Sequence, residues 1–446
     1  MHRTILKKTA IAWGLLLWTM AITAQVNVTF ADGTQGREAT IKAHDTRLKA
    51  TIDANGKCSF TIPKTLLPAF ATLSGPYGDL RIYVDGQEEE VLWPARRQFS
   101  FRKGHAKANH YLNDGFLSTL KLDYRSSDTA FICQWQGAYS AALEHLQAQQ
   151  LPEVFNAKER LRLYYAVCNQ LIVYPITHSL MLRKDAYTPS ARYYETLSKA
   201  MYENPEAYGF WEYRQAFRDW IRQKIDREKS PESQLERLGM LLKYVGNAVK
   251  DTLLAAYLTD DYLTYHIRHF GIDGTDSLVA DYPHRVKSPR MRAEFNALIA
   301  KYRPLAHGSQ APEFALESLE GNTVSLSELR GKYVYIDVWA TWCVPCRREF
   351  PHLKALEKQF EGTPIAFLSV SIDSNKQPWA DMVRREKMAG IQLYSGNSGP
   401  FFSSYRIGQV PRFILIDPEG RIIDANMTRP SNPLTANTLK KLIGNP

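Results

Sequence analysis

The sequence predicts an α/β domain at the carboxy-terminal end, preceded by a small β-rich domain and an α-helical region. Three observations predict it. Apolar and polar residues alternate in short runs between residues 26 and 105. From about Leu112 to Tyr302 the apolar spacing lengthens to three and four residues. Beyond Pro312, nearly continuous apolar runs alternate with helical patterns. A chain of 446 residues suits two or three domains, and the reading places them at 25–108, 109–305 and 306–446.

Residues 1–24 read as an export signal. Arg3, Lys7 and Lys8 give a positive start, Thr9 to Thr23 is apolar, and Thr23 and Ala24 are small. The apolar stretch is shorter than the roughly 20 residues that span a bilayer. No cysteine follows it until Cys58, which argues against a lipid-anchored terminus. Removal of this segment changes the formal charge from +10 to 53 basic against 46 acidic residues, or +7. Spread along the chain, that is mild, and no basic stripe points to nucleic acid. Hydrophobic residues at 44% and charged residues at 23% exclude a disordered tail, a collagen or a multi-span membrane protein. The expected mature protein is soluble, periplasmic, and not inserted in the membrane.

In the β-rich part, Val26–Phe30, Ser59–Ile62 and Arg81–Val84 alternate as strands do, and Asp32-Gly33, Asn55-Gly56 and Asp85-Gly86 are turn signals. A small antiparallel sandwich or barrel follows, with Glu88-Glu89-Glu90 read as a solvated hairpin. In the helical part, Phe210, Tyr213 and Phe217, continued by Trp220 and Ile221, mark one buried face. Leu238, Leu241, Leu242 and Val245 mark another. Pro205, Pro231 and Pro289 divide the region into helical hairpins. Ala306–Pro312 reads as a linker. After it, Tyr333–Trp339, Ile365–Ile372 and Phe413–Ile416 are buried strands, and Leu353, Leu356 and Phe360 lie on a helix. Gly420 turns into the Ile422-Ile423 strand, and Thr438–Ile443 makes a last helix.

Chemistry concentrates where the first buried strand passes into a helix, at Cys343-Val344-Pro345-Cys346. Unpaired backbone N–H groups at a helix start carry partial positive charge, so the Cys343 thiol loses its proton more readily than a free cysteine. Cys346, one turn on and more sheltered, can attack a mixed disulfide formed at Cys343. Pro345 in the first turn costs little. Zinc would need two further ligands, and only His352 is near in sequence. A static structural disulfide is a second alternative. A peroxidase would need one activated thiol in a threonine- and proline-bearing approach loop, which Ala340-Thr341-Trp342 is not.

The run Gly331–Cys346 resembles the active-site strand and helix of thioredoxin-fold proteins. Ala311–Phe314, Asn322–Leu329, Arg347–Pro351 and Gln409–Asp417 are similar, more narrowly, to extracytoplasmic TlpA/ResA-type thiol–disulfide oxidoreductases. The resemblance covers about residues 308–446 and implies a thioredoxin-like domain. The β-rich and helical parts resemble, more loosely, the amino-terminal extension of such proteins. The resemblance also implies that Pro411 is a cis-proline facing the two sulfurs, leaving the Val410 backbone to pair with an extended substrate segment. Trp342 matches an indole sheltering the site, against a core-packing alternative. Asp337 matches a buried carboxylate that relays a proton for the second cysteine, although ResA-type proteins often carry an uncharged residue there. Glu349 matches an acidic residue near the dithiol, against a solvated helix glutamate.

The reading is therefore a thiol–disulfide oxidoreductase acting on disulfide-bearing proteins, most naturally as a reductase fed by a membrane electron-donor protein, with no further cofactor and no metal. A disulfide oxidase or isomerase on the same fold remains an alternative, as does a partner-binding protein with a secondary dithiol. Cys58, Cys133 and Cys168 are compatible with one disulfide plus a free thiol, in three pairings, or with three isolated buried thiols. His266 and His269 lack the further ligands of a metal site.

Overall fold

The computed structural model describes residues 23–31, 33–44, 46–183 and 187–444. It divides into two compact units, Met1–Trp220 and Ile221–Pro446. Residues 1–22 of the segment read as an export signal lie outside the described residues, and Ala24 opens the first strand.

The first unit opens with two four-stranded sheets. One runs Lys57–Ile62, Ala24–Phe30, Glu89–Ala95, Gln98–Phe101; the other runs Thr46–Thr51, Glu38–Ala43, Ala69–Gly75, Gly78–Val84. The two sheets share one core, because alternation places Val26, Val28, Ile41, Leu73, Ile82, Val91 and Trp93 on inward faces. Two features differ from the sequence reading. Ala24–Phe30 pairs in parallel with Glu89–Ala95, so the sandwich is not wholly antiparallel. The Glu88–Glu90 run is also not simply solvated: Glu89 is fully buried. The strand period turns Glu88 outward and Glu89 inward, where its carboxylate accepts from the His105 backbone N–H at 3.0 Å and from Asn109 Nδ2 at 2.9 Å.

Helices Asp128–Ala148 and Glu153–Leu182 follow. Phe131 stacks on Tyr174 at 4.2 Å and Tyr139 meets Tyr164 at 5.4 Å, which makes the pair antiparallel. Phe210, Tyr213 and Phe217 are buried, as their spacing predicts. The same unit buries charge. Arg162 donates through Nε to Glu159 at 2.7 Å and through Nη1 to Glu212 at 2.9 Å, and Arg81 also pairs with Glu212. Both glutamates depend on this guanidinium. Arg162→Ala removes the cation that bridges two buried carboxylates, leaving Glu159 with the Tyr111 hydroxyl and Glu212 with Arg81, and an expected loss of about 3–5 kcal/mol follows. Removing Lys199 from its exposed pair with Glu195 is expected to leave stability almost unchanged, because solvent screens the pair. Denaturant unfolding of the two variants checks the contrast.

In the second unit a seven-stranded sheet runs Thr323–Ser325, Ala315–Ser318, Ile391–Tyr394, Ile365–Ser371, Tyr333–Trp339, Arg412–Ile416, Ile422–Asp424. The three strands from Ile391–Tyr394 to Tyr333–Trp339 are parallel, and Arg412–Ile416 is antiparallel to the last of them. The centre is covered on both faces. Ile336, Val338, Leu368, Val370 and Ile414 feed one core, and Tyr335, Phe367 and Phe413 feed the other beneath Leu353, Leu356 and Phe360. This explains why the central strands read as unbroken apolar runs. Helices Gln234–Ala248, Thr252–Phe270, Asp276–Arg285 and Pro289–Tyr302 belong to the same unit, with Leu238, Leu241, Leu242 and Val245 buried.

The Ala306–Pro312 segment differs from the free linker its composition predicts. Gly308 and Ala311 donate to the carbonyls of Ile422 and Gly420 at 2.8 and 2.9 Å, and His307 N–H donates to Asp273 at 2.8 Å. Its backbone finds partners along the edge strand, which composition does not reveal. Among the described residues, no helix is long and apolar enough to cross a membrane.

Candidate active site

The strand Tyr333–Trp339 ends at the loop Ala340–Trp342, and the helix Val344–Gln359 begins directly after Cys343. Cys343 is the helix N-cap. Its Sγ accepts from the Cys346 backbone N–H at 3.2 Å, and Pro345 occupies the first turn, where no N–H is needed. The two cysteines form a disulfide with an S–S distance of 2.03 Å and a Cα–Cα distance of 5.3 Å. Both sulfurs are buried in the disulfide. Cys343 is 3% and Cys346 2% exposed, because the bond draws both sulfurs against the apolar core.

The helix presents Cys346, Glu349, Leu353 and Leu356 along one buried stripe. Asp337 lies on the facing strand, fully enclosed beside Phe413 in the ladder. Burial pushes the Asp337 carboxyl well above the usual range, and the charges of Glu349 and Glu357 push it further. Glu349 is buried rather than solvated. Its carboxylate accepts from the Ser431 N–H at 3.0 Å and from Ser431 Oγ at 2.9 Å, with Arg429 Nη1 at 3.9 Å. Glu357, two turns farther along, has its carboxyl pushed up to about 7 by burial.

Trp342 is 66% exposed, which removes the core-packing alternative; Trp339 fills the core instead, edge-on to Phe350 at 5.0 Å. The Val410–Pro411 bond is cis. Arg412, next along, is buried and donates through Nε to the Ala425 carbonyl at 2.6 Å.

Asp373 is the residue that sequence reasoning missed. It sits just beyond the end of the Ile365–Ser371 strand and grips the loop before the dithiol. It accepts from Thr341 N–H at 3.0 Å, from Thr341 Oγ1 at 2.7 Å and from Ser371 Oγ at 2.8 Å. The available signal was its place just past the carboxyl end of a buried parallel strand, where α/β sheets gather their functional groups. Asp373→Ala leaves these buried donors without an acceptor. A stability loss of roughly 1–3 kcal/mol is expected, with slower exchange by the loosened loop. Unfolding and turnover of the variant check this.

The other cysteines form no disulfide. Cys58 and Cys168 are buried, and burial pushes their thiols up to about 11 and about 12. Cys133 is exposed, so the picture of three buried thiols holds for two only. Among the described residues, no group of histidine, cysteine and carboxylate side chains is placed to hold a metal ion.

Residues 307–425 match the AhpC/TSA family model. ResA, a thiol–disulfide oxidoreductase of Bacillus subtilis, is 29% identical over 129 residues, 29% of this chain and 72% of that protein. ResA of Geobacillus thermodenitrificans is 31% identical over 128 residues, 28% of this chain and 73% of its own. The thioredoxin domain of a thiol–disulfide oxidoreductase from Bacteroides vulgatus is 32% identical, covering 31% of this chain and 99% of that one, with a TM-score of 0.30. A thioredoxin-like domain carrying a Cys-Val-Pro-Cys pair, matched over most of the length of these relatives, makes the chain a member of the ResA/TlpA-type thiol–disulfide oxidoreductases.

Proposed function

We propose that the protein is a periplasmic reductase of disulfides in protein substrates, supplied with electrons by a membrane donor. The observation that carries the reading is the placement of Cys343 at a helix N-cap with its sulfur aimed at the Cys346 N–H. In the reduced protein, that position favours the Cys343 thiolate. The thiolate attacks one sulfur of the substrate disulfide, the substrate S–S bond breaks, and the departing sulfur leaves as a thiolate that takes up a proton. The Cys346 thiol gives up its proton and attacks the Cys343 sulfur of the mixed disulfide. The second substrate thiol is released, and the Cys343–Cys346 bond closes. Two electrons pass to the substrate.

Asp337 is the group assigned to the Cys346 proton, with Glu349 modulating it across the strand-to-helix gap. Val410 and Pro411 hold an extended substrate segment, and the exposed Trp342 borders it. The leader pattern at residues 1–24 supports an extracytoplasmic location. An oxidising compartment then requires electrons from across the membrane.

Equilibration of the Cys343–Cys346 pair with glutathione tests the direction. A potential near that of thioredoxin, about −270 mV, is the expected result, whereas one near that of a strong oxidant, about −120 mV, overturns the reductase reading.

A further inference from the structure

The amino-terminal unit holds a cavity unrelated to the dithiol. In the sheet containing Glu38–Ala43, one face builds the sandwich core and the other is polar. On that outer face Thr40 lies opposite Ser74, and Lys42 is flanked by Thr72 and Arg47. Thr72 in turn lies opposite Arg81. An outer face of this kind normally meets water. Here Phe70 instead packs on Phe155 and Phe210 at 5.3 and 5.1 Å, bringing the chain before helix Trp211–Lys229 over the sheet. A half-open space of about 360 Å³ remains between them.

The lining is chemically lopsided. Lys42, Arg47, Arg81, Arg162 and Arg214 line it, against the carboxylates of Asp79 and Glu212. Glu159, which holds Arg162 from behind, is a third carboxylate. Within this set Arg162 pairs with Glu159 and Glu212, and Arg81 pairs with Glu212. The back wall is fixed: Arg162, Glu212 and Arg214 are each buried, and Tyr111 OH donates to Glu159 at 3.1 Å. Hydroxyls of Thr40, Thr72 and Ser74 supply neutral donors, and Trp211, 56% exposed, offers a ring at the mouth. Guanidinium forks with hydroxyls suit carboxylate or phosphate oxygens. The volume lies at the small-molecule end of ligand pockets and is too small for a helix or a strand.

We propose that this cavity binds a small organic dianion whose charge is carried on carboxylates or on a phosphate group. The site does not rest on the reading of the dithiol. Isothermal titration of the full-length protein at low salt tests it, with succinate and inorganic phosphate as separate probes of the two charge carriers. Acetate at matched ionic strength and glucose serve as references. The expected result is one site per chain for at least one dianion, with affinity at least tenfold above acetate and no binding of glucose. Lys42→Gln and Arg47→Gln, both exposed, are each expected to weaken binding about tenfold, the loss of one charge-assisted contact. Circular dichroism and the melting temperature should stay unchanged. The proposal is overturned if neither dianion exceeds acetate, if both variants bind as the unmodified protein does, or if a tetraglutamate peptide binds where neither dianion does.

Discussion

Cys343→Ala is expected to lower the rate of insulin reduction by three orders of magnitude or more, close to the uncatalysed rate, because residues that act as one covalent unit cannot substitute for one another. Cys346 is not a replacement nucleophile. It lies inside the helix rather than at its cap, packed on the stripe that continues into Glu349 and Leu353, so the N-terminal field that favours a Cys343 anion is not aimed at it. Cys346→Ala gives a different outcome. The first attack survives, but no thiol remains to break the mixed disulfide, so the adduct persists on a non-reducing gel and its partner identifies the substrate. Both variants should fold, since each cavity left is small and the reduced dithiol makes no covalent bond. Equal rates for wild type and Cys343→Ala would remove the exchange chemistry from this site, whatever the fold.

How far the sequence foretells this site depends on which physical signal each residue leaves. Tyr333–Trp339 is legible because a strand covered on both faces must be apolar throughout, and a charged residue inside such a run, Asp337, stands out for that reason. Cys343 and Cys346 are legible through their placement between a buried strand and a helix. Glu349 is half legible: its helical offset of three from Cys346 fixes its face, but Ser431, which holds it, is 82 residues away along the chain. Asp373 and the pairing of Ala306–Pro312 with the edge strand depend on contacts made only in the folded domain, so no local pattern announces them. Glu89 shows the limit of composition. Three consecutive glutamates suggest solvent, yet the strand period carries the middle one into the protein, where Asn109 and the His105 N–H satisfy it. The parallel pairing of the first strand with Glu89–Ala95 is also non-local, joining segments more than 60 residues apart.

Asp337→Asn is expected to slow disulfide exchange on the order of a hundredfold, the usual scale for a positioned proton-transfer group, and to raise stability at neutral pH at the same time. The two effects share a cause. Asp337 is enclosed between the sheet and the Val344–Gln359 helix, where burial and the neighbouring charges of Glu349 and Glu357 disfavour its anion. A carboxyl held above its ordinary value in the folded protein binds its proton more tightly there than in the unfolded chain. Below the unfolded value, near 3.9, both states are protonated and the group contributes no difference. As the pH rises past that value the unfolded chain releases its proton first, so wild-type stability falls with pH until the folded-state group has ionised as well. Asparagine has no such proton. The stability advantage of Asp337→Asn should therefore be near zero around pH 3–4 and grow as the pH rises, the reverse of a carboxylate held by a salt bridge. Unfolding of the oxidised variant and wild type at several pH values measures the stability effect. Stopped-flow resolution of the mixed disulfide, in which the variant should lose the pH dependence that Asp337 imposes on the Cys346 step, measures the catalytic one. A stability difference that stays constant across pH would show that the Asp337 carboxyl is not held above its ordinary value in the folded protein, and the shared cause of the two effects would fall.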